Sequence, residues 1–225
     1  VLFRSVPRLF NKVHTGIDCP VKRAVSPEVI CSLMTDRKPL PGKLAFSRDL
    51  FVLLFLLRGM PFVDLAFLRR CDLQGNVITY HRRKTSRKLT VVVGKEAMEI
   101  IQKYMYAIPD SPYLFPIIQN PGKDEYGQYA RMLRLQNYRL TQVANILGIR
   151  DRLSTYTARH TWATTALRQN YNSSLICDAM GHSSVKVTET YFQPYRDDEV
   201  NRMNSSLITY ILSKKKRGTD KKIRS

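Results

Sequence analysis

The stretch TARHTWATTALRQNYNSSLICDAMGHSSVKVTETY, residues 157–191, decides the reading of this chain. From Tyr156 onward, Trp162, Ala163, Ala166 and Leu167 fall on one face at helical spacing. Ser173 can cap a second helix with Leu175, Ile176, Ala179 and Met180 as its apolar face, and Gly181 stops it. Ser183 or Ser184 then caps a third short helix that reaches Tyr191. Arg159 lies near the start of the first helix, where free N–H groups and the helix dipole favour anions. His182 follows a helix stop, on a turn that fixes it. A hydrophobic core needs no arginine, histidine or tyrosine in this layout. A phosphate needs positive donors, and a phenol beside it can attack it.

Upstream, the pattern stays mainly helical. Ser26, Pro27 and Glu28 are three agreeing start signals for a helix in SPEVICSLM. RKPLPGK breaks the chain. An apolar helix over 45–57 leads to Arg58-Gly59, and a short helix follows over 63–68. The period then changes. NVITYHRRKTSRKLTVVVG predicts two antiparallel strands, 77–82 and 89–93, with Lys84 and Thr85 at the hairpin tip. Ala97, Ile100, Ile101 and Tyr104 restore helical spacing. Residues 126–147 predict a long basic helix carrying Arg131, Arg134 and Arg139, with Gly148 as its stop. The expected fold class is α+β, mainly α-helical, with a small antiparallel β-sheet.

The charge balance selects the partner. Lys and Arg number 37 against 18 Asp and Glu, a formal net charge of +19, which points to a polyanion and most often to nucleic acid. Cys19, Cys31, Cys71 and Cys177 show no C-x-x-C spacing, and the histidines do not join them at ligand spacing. The expectation is therefore no metal and reduced thiols, with Cys71 and Cys177 as small buried apolar groups. The longest apolar run, LFVLLFLL at 50–57, is too short for a bilayer, which takes about 20 residues. A soluble, cytoplasmic bacterial protein is expected. The chain begins at Val1, as a piece of a longer protein would.

ARHTWATTAL, then MGHSS, then TETY, resembles the C-terminal signature of the tyrosine recombinases, also called the phage integrase family. Arg159 and His182 stand 23 residues apart, and His182 and Tyr191 nine apart, both intervals typical of that family. LLRGMPFVDLAFLRRCDL resembles its first arginine box, with Arg58 as the arginine and Asp64 as the acidic residue after it. HRRKT on a hairpin resembles the box of the catalytic lysine, here Lys84, and YLFP at 113–116 matches another common segment. The ordered set spans residues 26–191.

The resemblance implies site-specific cutting and rejoining of double-stranded DNA through a 3′-phosphotyrosine, by an integrase of a mobile element or phage, with no cofactor and no small-molecule substrate. It implies Tyr191 as nucleophile, Arg58 and Arg159 as the guanidiniums on the non-bridging oxygens, Lys84 as the acid that protonates the leaving 5′-oxygen, and His182 as a donor to phosphate. Tyr156 stands where the family usually has histidine; a phenol can donate to phosphate but is a poorer proton acceptor. Tyr195 is the rival nucleophile, and Asp64 is a structural partner that buttresses an arginine. Arg82, Arg83 and Lys88 are expected on the DNA backbone together with Arg131, Arg134 and Arg139. The expected organisation is a remnant of a DNA-clamping domain and linker at 1–22, a catalytic domain at 23–212 and a basic disordered tail at 213–225. A C-terminal helix with Val200, Met203, Leu207 and Ile211 on one side either docks into a neighbouring protomer of a DNA-bound tetramer or folds back on its own domain. Two other readings share the pattern: a DNA-binding accessory protein with weakened catalysis, and a type IB-like topoisomerase or resolvase.

Overall fold

The computed structural model of the chain describes residues 24–36, 38–189 and 201–209. Tyr191, Tyr195, Val200 and Ile211, the segment 1–22 and the tail 213–225 lie outside the described residues. The main unit is built from eight helices and three strands among those residues: α1 (Pro27–Thr35), α2 (Gly42–Leu56), α3 (Phe62–Ala66), β1 (Leu73–Gln74), β2 (Val77–His81), β3 (Lys88–Val92), α4 (Lys95–Tyr104), α5 (Glu125–Leu147), α6 (Thr155–Arg168), α7 (Ser173–Met180) and α8 (Val185–Glu189). Residues 201–209 form a helix in a separate C-terminal unit.

α2 is the axis of the core. Leu50, Phe51, Leu53 and Leu54 are fully buried, and the helix packs against α1, α4, α5 and α6. That explains its eight-residue apolar run: a helix covered on several sides has no polar face to keep. α5 meets α2 through Leu140, Val143 and Ala144, and the buried Gln136 donates through Nε2 to the Ser47 carbonyl. Gly148, at φ 70, ends α5 in the left-handed conformation that glycine adopts without strain.

The strands form an antiparallel sheet in the order β1-β2-β3, with Val77 opposite Val92 and His81 opposite Lys88. Ile78 and Tyr80 point into the core, and the turn at 82–87 exposes Arg83, Lys84 and Arg87 while Arg82 is buried. β1 was not legible in the sequence, because two residues leave no period. In the C-terminal part of the main unit, Ala163, Ile176 and Met180 form a small second cluster, covered by Trp162, Ala166 and Leu167.

Three local expectations shift. Asn172, not Ser173, caps α7, its side chain accepting from the Ser174 N–H at 2.7 Å. Leu175 is 57% exposed, because Ile176 and Met180 already fill the contact with α6. Cys71 is exposed, because it sits in a 3₁₀ turn at the surface, whereas Cys177 is buried. Leu54→Ala should therefore lower unfolding free energy by about 2–5 kcal/mol, and Leu175→Ala by less than about 0.5 kcal/mol, in urea titrations followed by circular dichroism.

Candidate DNA-phosphate site

Four segments meet at one open cavity of about 300 Å³: the turn before α3, the 82–87 hairpin, the start of α6 and the residues after α7. Asp64, Arg82, Lys84, Tyr156, Arg159 and His182 line it. The capping of α6 sets the first of these. The Ser154 hydroxyl accepts from the Thr157 N–H, so Arg159 is placed in the opening turns of the helix. Arg159 is only 3% exposed. Its Nη1 donates to the Gly59 carbonyl and its Nη2 to the Met180 carbonyl at 3.0 Å, and Nη2 also lies 2.6 Å from His182 Nε2.

Glycine is required at two points of this frame. Gly59 has φ 66, and a Cβ there would stand 3.1 Å from Arg159 Cα and 3.2 Å from its Cγ. Gly181, at φ 64, ends α7 and leaves room for Leu89 and Arg82; a Cβ there would stand 2.8 Å from Leu89 Cδ1 and 3.1 Å from Arg82 Cδ.

His182 follows that glycine and is buried. Its Nδ1 is 2.7 Å from Thr188 Oγ1 on α8. A guanidinium only donates, so Nε2 accepts from Arg159 and the ring proton resides on Nδ1, donated to Thr188. In this arrangement the imidazole is an acceptor at Nε2, whereas the sequence pattern suggested a donor to phosphate. Burial, and then the charges of Arg159, Arg82 and Lys84, push its pKa down to about 3, so the ring is neutral at ordinary pH.

Arg82 is 7% exposed and reaches into the cavity. Its Nη1 donates to the Gly181 carbonyl at 2.6 Å, and its Nε is 3.7 Å from Asp64 Oδ2. Asp64 is buried and accepts the Arg83 N–H through Oδ1 at 2.9 Å. Burial raises the Asp64 pKa, an effect that the hydrogen bond from the Arg83 N–H, and then the guanidiniums of Arg82, Arg159 and Arg83, only partly offset. Lys84 is exposed on the hairpin, and Tyr156 is 47% exposed, edge-on to the His160 ring.

Other expected site residues lie elsewhere. Arg58, at φ 60, donates from Nη1 to the Thr90 carbonyl at 3.2 Å and lines a different cavity with Phe55, Trp162 and Ile176. The Arg83 guanidinium stacks on Phe67, 3.8 Å from the ring centroid, and Lys88 is exposed at the start of β3. On α5, Arg131 and Arg134 are exposed and Arg139 is half-buried. Thr188, Gly59 and Gly181 escaped the sequence reading as site residues. Only the glycines left a signal, each at a helix stop.

With this geometry in view, comparison with known proteins gives one answer. Residues 24–197 match the model of the Phage integrase family, and the chain belongs to that family. It is 26% identical over 167 residues to a tyrosine recombinase XerC of Thermodesulfovibrio yellowstonii, covering 68% of this chain and about half, 52%, of that protein. Among solved structures, XerA recombinase superposes with TM-score 0.60 at 19% identity, over 83% of this chain and 63% of that one. The Tn1549 transposon integrase in complex with transposon right end DNA superposes with TM-score 0.63 at 15% identity, over 85% and 68%. The fold is that of a tyrosine recombinase catalytic domain: mainly helical, with a small antiparallel sheet.

The neutral, buried His182 gives a pH signature. The folded state binds a proton at this ring less readily than the unfolded chain, whose histidine titrates near 6.5. Its effect on stability is absent above about pH 6.5. Stability is lost as pH falls from there towards about 3, at up to about 1.4 kcal/mol per pH unit. The pH dependence of Tm should be flatter in His182→Asn over that window. Gly59→Ala should lower Tm by several degrees at every pH, since Arg159 must shift to admit the methyl.

Proposed function

We propose that this chain is the catalytic part of a site-specific DNA recombinase, an integrase of a mobile element or phage, which cuts and rejoins DNA through a 3′-phosphotyrosine. The observation that carries the reading is the convergence of Arg159, Lys84 and His182, from three distant segments, on one open cavity whose charge is predominantly positive. Such a site fits a single phosphate. The net charge of +19 supports a DNA partner, and the fold likeness to an integrase held on transposon DNA supports the mobile-element origin.

The chemistry follows from the groups. Arg159 is preorganised by two carbonyls and an imidazole, and it neutralises charge that builds on the non-bridging oxygens. Tyr191 attacks phosphorus, forming the tyrosyl–phosphate bond as the bond to the 5′-oxygen breaks. Lys84, on the exposed hairpin, delivers the proton that the departing oxygen needs. His182 holds Arg159 in place. Tyr156 donates to phosphate from the cavity rim. Arg131, Arg134 and Arg139 on α5, with Arg83 and Lys88 beside the hairpin, contact the backbone of the duplex. Met203, Leu207 and Ile208 are exposed on the 201–209 helix. An apolar cavity of about 510 Å³, lined by Phe55, Trp162, Leu175 and Ile176, is a suitable receptor for that helix from a second copy, as a DNA-bound tetramer would need.

The test is covalent trapping on a library of nicked duplexes with random sequence on both sides of the nick. The nick lets the 5′-hydroxyl fragment diffuse away and strands the enzyme on the 3′-phosphate. Wild type should yield a protein–DNA adduct whose sequenced duplexes define the target. Tyr191→Phe should give none, Tyr195→Phe should retain it, and Arg159→Ala should slow it by about 10²–10³. Reversible binding without any adduct would make the chain an accessory DNA-binding protein instead.

A further inference from the structure

We propose that the second guanidinium at the scissile phosphate is Arg82, on the hairpin, rather than Arg58 at the end of α2. The inference rests on the reading of the cavity as the seat of a DNA phosphate.

The two arginines differ in where their side chains go. The left-handed turn at Arg58 and Gly59 reverses the chain, and the Arg58 guanidinium is taken up by the Thr90 carbonyl on β3. It faces the apolar cavity beside Phe55 and Trp162. On the other side of this turn the cavity wall is supplied by Pro61, whose ring carries no donor. The segment that the motif pattern marks as an arginine box therefore offers the phosphate cavity no cation.

Arg82 fills that role by position. It lines the same cavity as Arg159, Lys84 and His182. Arg159 donates to the carbonyl of Met180 and Arg82 to that of Gly181, the two successive carbonyls at the end of α7. The two guanidiniums are thus hung side by side from one helix end. A phosphate has two non-bridging oxygens, and two neighbouring planar donor groups match them. Arg82 is also held out of bulk water and close to the buried Asp64, unlike the exposed Lys88 further along the same hairpin. Preorganisation of this kind is what stabilises a transition state, and a cation that merely follows the DNA backbone does not need it. The clamp and the proton donor Lys84 then sit two residues apart in one turn, so closing the hairpin on DNA would deliver both together.

The experiment uses the 225-residue chain and a nicked duplex recovered from the random library, with either a phosphodiester or a methylphosphonate at the scissile position. In the methylphosphonate, a methyl group replaces one non-bridging oxygen, so the charge that the guanidinium neutralises is gone. Arg82→Ala should form adduct about 10²–10³ times more slowly than wild type on phosphodiester, and within about tenfold of wild type on methylphosphonate. Arg82→Lys keeps a positive charge near Asp64 but loses the planar fork; it should show the same pattern with a smaller deficit, and it guards against a folding failure in the alanine variant. Arg58→Ala should lose less than about tenfold and gain nothing selectively from methylphosphonate. A rescued deficit in Arg58→Ala overturns the proposal. So does a deficit in folded Arg82 variants that methylphosphonate leaves unrepaired, since that would mark a structural pairing with Asp64. Absence of any wild-type adduct on phosphodiester would overturn the phosphate reading itself, and this inference with it.

Discussion

The site depends on a buried guanidinium, Arg159, that donates to two backbone carbonyls and to an imidazole nitrogen. Burying an ion costs several kcal/mol unless its donors are satisfied. Arg159 meets this through the carbonyls at the ends of two separate segments, Gly59 after α2 and Met180 in α7, and through the lone pair of His182. These acceptors are dipoles, so they stabilise the cation without cancelling its charge. The nearby acid, Asp64, is turned towards Arg82 and the Arg83 backbone, and burial weakens its tendency to ionise. A cavity lined by Arg82, Lys84 and Arg159 against one buried acid is predominantly positive, in keeping with the phosphate proposed for it.

The same contact ties the parts of the main unit together. Gly59 can approach Arg159 only because it lacks a side chain, so the α2–α6 packing and the position of the guanidinium are one constraint. Gly181 likewise leaves room for Leu89 and Arg82 of the hairpin. His182 then links Arg159 to α8 through Thr188. A change in α8 can therefore reach the cavity through one imidazole. Nε2 can accept from Arg159 only while the ring is neutral, and the depressed pKa keeps it neutral over the whole neutral range.

Much of the fold was legible because its signals are local. Ser26-Pro27 starting α1, Gly148 ending α5 and Gly181 ending α7 each act within a turn of their own helix. The alternation of NVITY and LTVVV reports a hairpin with one buried face. Where local signals compete, the sequence misleads by small amounts: Asn172 outcompetes Ser173 as a cap, and Leu175 looks apolar enough for the core yet has no partner left to pack on. The cavity was legible in part. Arg159, Lys84, His182 and Tyr156 could be picked out by type and spacing, and they do line one cavity. Thr188 could not, because a threonine gains meaning only from the imidazole that folds onto it.

By itself the sequence determined that the chain is basic, mainly helical, interrupted by one hairpin, and endowed with cations and a phenol in an order that suits phosphate chemistry. Those properties are sums or short-range patterns, and they need no knowledge of distance. Which arginine faces which cavity was decided only by the tertiary structure. Arg58 and Arg82 are equal as letters, and each is followed by residues that fit a motif. Backbone direction separates them: a left-handed turn sends the first towards Thr90, and a strand end beside Gly181 sends the second to the carbonyl next to the one that holds Arg159. Side-chain direction over a tight turn depends on what packs behind it, and that packing comes from residues about a hundred positions away.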